Sequence, residues 1–275
     1  MVDRLAELAP PIQALVAGLF TLALTAAGAA AVALGVLARG AAFDAMLGFA
    51  SGVMLAAAYW SLLEPAISLA RAGGGPAWVA PTIGLLAGAA FLGAADRLVP
   101  HLHPTLPPGS AEGPRSQWST TTLLVAAITL HNVPEGLAVG VAFGAAGAAA
   151  GTAGPGAATL GAALALALGI AVQNIPEGAA VALPLRAAGM GRGRSFLAGT
   201  ASAAVEPVAA VLGAAAVGSA SLLLPYALAF AAGAMIYVVI EELIPSAHQE
   251  GRGDLATLAA LAGFTLMMIL DVALG

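Results

Sequence analysis

The chain has no cysteine and no lysine, and only 8% of its 275 residues are charged, against about 25% in an ordinary soluble domain. The missing cysteine excludes disulfide frameworks, thiolate nucleophiles and thiolate metal sites. The missing charge excludes a soluble globular enzyme, a disordered chain and a nucleic-acid binder. There is too little of it to cover a water-facing surface or to neutralise a phosphate backbone. All nine basic residues are Arg, and the net charge of −5 is spread over too few groups to point to a partner. Aromatics amount to only 5%. In their place stand 60% hydrophobic residues, a mean hydropathy of +0.97, and 35 glycines that let helix backbones approach closely. The solvent around most of this chain is a lipid bilayer.

A membrane-spanning helix needs about 20 mainly apolar residues. Eight such stretches are predicted, at 11–38, 43–70, 76–97, 119–146, 156–185, 194–218, 222–246 and 255–274. Polar and apolar residues do not alternate, which argues against a β-barrel. The fold class expected is an all-α integral membrane protein with one polytopic domain over residues 1–275. The first stretch is too long for the apolar region of a signal peptide and is read as a retained span. Residues 98–118 form a polar, Pro-rich loop that divides the chain into three spans and five. With eight spans, Arg4 and Arg71 fall on the side of the termini. Arg39, Arg97, Arg115, Arg186, Arg192, Arg194 and Arg252 fall on the other. By the positive-inside rule the 98–118 loop is cytoplasmic, and both termini lie outside the cell (inner) membrane.

Acids inside such spans are expensive, about 2.5–3.5 kcal/mol for a central Asp, and they normally mark an ion or substrate path. Two segments carry them in the same setting. His131-Asn132-Val133-Pro134-Glu135-Gly136 is followed, 42 residues on, by Gln173-Asn174-Ile175-Pro176-Glu177-Gly178. That spacing puts one feature on two successive, oppositely directed helices, as in an inverted repeat with a midplane site. His131 and Glu135 are four apart and share a helix face, as do Gln173 and Glu177. Pro134 and Pro176 remove a backbone donor each and should kink their helices, freeing the carbonyls of Leu130 and Val172. A third acid, Glu206, precedes Pro207 in the sixth span. Three carboxylates brought together repel, and a divalent cation relieves the repulsion. One imidazole, three carboxylates and amide oxygens suit Zn²⁺, Cd²⁺, Fe²⁺ or Mn²⁺.

The paired H-N-x-P-E-G and Q-N-x-P-E-G motifs, Glu206, and Glu241-Glu242-Leu243-Ile244-Pro245 in the seventh span closely resemble the ZIP (Zrt-, Irt-like) family of divalent metal transporters, particularly its bacterial GufA-like branch. The resemblance implies a ZIP-like bundle that moves divalent metal, here zinc first, into the cytoplasm; an elevator-like motion has been proposed for the family, and channel-like and proton-coupled transport stay open. It implies a primary metal site of His131, Glu135, Gln173, Glu177 and Glu206. It further implies that Asn132 and Asn174, sharing the three acids, form the second half of a binuclear site. Some relatives carry Asp at the position of Asn174, so one charge is lost here. Met54 matches a methionine that some bacterial members place beside the metal.

Around this centre, Glu241, Glu242 and His248 near the cytoplasmic end of the seventh span are read as exit-path ligands. Glu64 stands before Pro65 in the second span, where a pathway role and a structural one weigh equally. Asp271 is expected at the headgroup level, and Trp60, Trp78 and Trp118 near span ends as interfacial anchors. His101 and His103, in the loop, make a weak metal trap if they are not merely solvated. Gly- and Ala-rich faces would permit a homodimer. Two other readings of the buried acids are a membrane-embedded zinc hydrolase and a proton-coupled carrier of an organic cation. The first lacks an H-E-x-x-H motif. Neither accounts for His, Gln, Asn and Glu converging so closely.

Overall fold

In lipid every backbone N–H and C=O has to be satisfied within the chain, and a helix does this by itself. The computed structural model describes residues 2–34, 40–102, 111–148, 159–219, 221–248 and 253–274. Among them are eight helical spans: Pro10–Ala33, Ala41–Ala72, Val79–Leu98, Thr121–Ala148, Leu160–Ala187, Arg192–Val217, Leu224–Ala247 and Gly253–Leu274. They are numbered one to eight below. The only extended pairing among the described residues is the isolated bridge between His101 and Glu112 in the loop after span three. The all-α membrane bundle expected from composition is the fold observed. The fourth and fifth spans have 28 residues each, about 42 Å at 1.5 Å per residue, which exceeds a bilayer's hydrocarbon core of about 30 Å.

Local chemistry sets the span ends. Pro10 and Pro11 occupy the first turn of span one, where no backbone donor is needed. The Thr159 hydroxyl accepts from Ala162 N–H at 3.0 Å and caps span five. That span closes on Gly189, whose φ of +94° permits paired closing bonds: Met190 N–H to Leu185 O and Gly189 N–H to Arg186 O, each 3.1 Å.

Prolines shape the interiors unevenly. Pro134 and Pro176 leave their helices continuous over Thr120–Ala148 and Leu160–Ala187. Three other prolines act more strongly. Pro65 and Pro245 cannot donate to Ser61 O and Glu241 O, and the helix ahead of each widens into a π segment, Ala58–Leu63 in span two and Val239–Leu243 in span seven. Pro207 cannot donate to Ala203 O, which accepts from Glu206 N–H at 3.0 Å instead. Span six, expected to be continuous, breaks at residues 202–204 and restarts at Val205. Glu206 therefore sits in the first turn of a new half-helix, the end that favours negative charge.

The closest packing pairs are spans four with six, two with eight, three with seven, and one with five. Exchanging one with six, two with seven, three with eight and four with five maps this set onto itself. It also maps one π segment onto the other, as an inverted repeat requires. Glycine makes each crossing. A Cβ on Gly136 would stand 2.8 Å from Glu206 Cα, one on Gly178 2.9 Å from Ala29 N, one on Gly52 2.8 Å from Phe264 N, and one on Gly88 2.9 Å from Ala234 N. Outward-facing Leu19, Leu86, Leu212 and Leu258 are exposed, as lipid-facing side chains should be.

Candidate metal pathway

The two paired motifs lie near the middle of spans four and five, and spans one, six and seven bring their own polar groups to the same place. His131, Asn132, Glu135, Gln173, Asn174, Glu177, Glu206 and Glu242 are all buried, none more than 8% exposed. Glu135 lies against Glu177 and Gln173. Glu177 is within electrostatic reach of Glu206 and Glu242, and Glu206 of Glu135. The residues singled out from the motifs thus share one polar core inside an apolar bundle.

Their hydrogen bonds divide them into two groups. On the span-one side, Asn174 Nδ2 donates to both Glu206 oxygens at 2.9 Å and to Thr25 Oγ1 at 3.0 Å. Gln173 Nε2 donates to Asn174 Oδ1 at 3.1 Å. The Thr25 hydroxyl donates in turn to Thr21 O at 3.2 Å. On the span-four side the partners run out. Both oxygens of Glu135, both amide atoms of Asn132, Gln173 Oε1 and Glu177 Oε2 are buried without a hydrogen bond. Orphaned buried groups each cost about 1–3 kcal/mol, more when charged, so this density of oxygen donors calls for a ligand. Thr21 and Thr25 are participants that the sequence reading missed. Their signal was two hydroxyls four apart in a span with no other reason to carry them.

His131 Nε2 is in contact with Glu242 Oε2 across spans four and seven. Two crevices meet at this pair. Both are narrow. One, a cavity of about 20 Å³, runs past Phe43, Leu47, Glu177 and Ser246. The other, of about 10 Å³, runs past Asp96, Tyr237 and Glu241. Both lead toward the bundle end that carries the loop after span three. Glu241 is exposed and lines the second crevice.

The remaining residues lie farther out. His248 is exposed, its ring bonded to Ile244 O at 2.8 Å and to Thr257 Oγ1 of span eight at 3.4 Å. Met54 is 1% exposed within the main apolar core. Glu64 accepts from Ser68 at 3.0 Å. Asp271 accepts from Ser61 at 2.6 Å, tying span eight to span two. His101 departs from its expected setting. It is fully buried, with Nδ1 2.8 Å from Val99 O and Nε2 3.0 Å from Asp96 Oδ1. Glu112 bridges to its backbone, and the ligating atoms of Asp96, His101 and Glu112 lie within 4.8 Å of one another. His103 falls outside the described residues.

Eight apolar spans around a buried core of carboxylates, amides and an imidazole define a multi-pass membrane protein with a buried polar centre. The comparisons with known proteins give the family. Residues 110–271 match the profile described as "ZIP Zinc transporter". The chain is 41% identical to "Zinc transporter ZIP11" of Homo sapiens, over 96% of this chain and 97% of that one. It is 42% identical to "Zinc transporter GufA" of Myxococcus xanthus over 78% and 81% of the two chains. Against "Zinc transporter ZIPB" of Bordetella bronchiseptica the identity is 41%, over 91% and 80%. The chain belongs to the ZIP family, a family of transporters and not of enzymes, which sets the hydrolase reading aside.

Proposed function

We propose that this chain carries Zn²⁺ across the cell (inner) membrane into the cytoplasm through the buried cluster of His131, Glu135, Gln173, Glu177 and Glu206. The observation that carries the reading is the set of hydrogen-bond-free oxygens on Glu135, Gln173 and Glu177, beside an imidazole, in the middle of a lipid-embedded bundle. Carboxylate and imidazole donors suit a borderline divalent ion, and Cd²⁺, Fe²⁺ and Mn²⁺ accept the same donors. Zinc is favoured among them because the named relatives are zinc transporters.

Direction rests on charge. Arg97, Arg115, Arg186, Arg192 and Arg194 lie toward the bundle end that carries the loop after span three, and the positive-inside rule supports reading that end as cytoplasmic. The ion leaves His131 for Glu242, passes Glu241 and Asp96, and emerges beside His101 and Glu112. The test is uptake of radioactive zinc into proteoliposomes. Glu177→Ala and His131→Ala should fold, by size-exclusion profile, and abolish uptake. Wild-type rates from both variants would refute the assignment.

A further inference from the structure

We infer that Asn174 closes the second half of the site with its amide, so that this chain holds one divalent ion where its paired motifs leave room for two. The inference rests on the proposed zinc site and concerns how many ions that site takes.

What decides the count is which end of the Asn174 amide faces Glu206. A carboxylate can only accept, and Asn174 Nδ2 stands 2.9 Å from each of its oxygens. The neighbours fit this orientation. Thr25 Oγ1 is 3.0 Å from the same nitrogen. Its own proton goes to Thr21 O, so it meets Asn174 as an acceptor. On the other side Gln173 Nε2, a donor, faces Asn174 Oδ1 at 3.1 Å. Turning the amide over would set oxygen against the carboxylate and nitrogen against a nitrogen donor. The atom held against Glu206 is therefore an NH₂ group without a lone pair for a metal. It lies where a second cation would have to sit to neutralise that carboxylate from the span-one side.

Both amide atoms of Asn132, both Glu135 oxygens, Gln173 Oε1 and Glu177 Oε2 have no such commitment. These six polar atoms are buried and unbonded. With His131, and with the Glu206 carboxylate that Asn174 holds, they supply donors for one ion. Asn174 is thus a positioning residue: it holds Glu206 in place and excludes the second ion. An Asp there would put a carboxylate against a carboxylate, and only another cation would relieve the repulsion.

The experiment counts metal. Full-length protein in detergent is stripped with chelator, equilibrated with Cd²⁺, desalted and measured by mass spectrometry. One Cd²⁺ per chain is expected for the wild type and two for Asn174→Asp. Two per chain in the wild type, or one in a folded Asn174→Asp, overturns the inference and leaves the zinc site standing. None in the wild type overturns both. A second measurement does not need the variant to fold. Wild-type protein loaded with Mn²⁺ should give the electron paramagnetic resonance spectrum of isolated ions, and a spin-coupled pair contradicts the single-ion reading.

Discussion

Glu135 gives the sharpest conflict between stability and function. It is fully buried, neither oxygen accepts a hydrogen bond, and Glu177 lies beside it. Such a group is poorly compensated in the metal-free fold and carries a large desolvation penalty. Replacing buried, poorly compensated charge by an apolar side chain of similar volume is commonly neutral to stabilising, by about 1–4 kcal/mol. Glu135→Leu removes two orphaned oxygens and one carboxylate–carboxylate repulsion, so a gain of about 1–3 kcal/mol is expected in chelator. With metal the order reverses. A wild type at a hundredfold excess over its Kd gains about 2.7 kcal/mol from binding, and the variant gains none. The assay is thermal unfolding in detergent, in chelator and in zinc, paired with vesicle uptake. A variant less stable than wild type in chelator would show that Glu135 has a structural partner. A variant that kept the zinc-dependent shift would show that it is no ligand. Either result refutes the reasoning.

Gly178→Ala should cost about 1–3 kcal/mol by overpacking and slow transport, because the new Cβ would overlap the Thr25 carbonyl oxygen. Gly193→Ala, whose Cβ meets nothing within 4 Å, should match wild type or melt slightly higher, and equal melting of the two variants contradicts the packing argument. Glu242→Ala leaves His131 Nε2 without its competitor, so binding should tighten several-fold while the maximal uptake rate falls, read from the concentration dependence; an unchanged affinity counts against the exchange. Protons compete with metal for the same imidazole and carboxylates, so with equal pH on both sides the apparent affinity should weaken as pH falls, and an affinity that strengthens in acid excludes metal binding at these groups.

Much of the site was legible because polar residues in lipid are costly and therefore few. Seven residues taken from the paired motifs and the sixth span, His131 through Glu206, fall into one buried cluster. What stayed hidden depends on partners distant in sequence. Five of the prolines in the spans look alike in the sequence. Pro134 and Pro176 pass through intact helices, whereas Pro65 and Pro245 widen theirs and Pro207 breaks its own. His101 looked like a loop residue because its surroundings are Pro-rich and polar. It is buried and held by Asp96, five residues back, and by the backbone of Glu112 across the loop. The roles of Thr21 and Thr25 could not be assigned without knowing that span one crosses span five.

The glycine that ends each paired motif explains why ligands and crossing occur together. Gly136 follows Glu135 and lets span four close on the backbone of Glu206, and Gly178 follows Glu177 and lets span five close on Thr25. One crossing brings in the third acid. The other brings in the hydroxyl that receives the Asn174 amide. Side chains in hydrocarbon gain little by attracting one another, since interhelical hydrogen bonds average about 0.6 kcal/mol there. A cluster of acids cannot assemble itself on that energy. Close backbone contact at the glycines provides the cohesion, and the carboxylates are carried into proximity against their own repulsion, a state that a bound divalent cation relieves. A bulkier residue at either glycine should therefore weaken metal binding without touching a single donor atom.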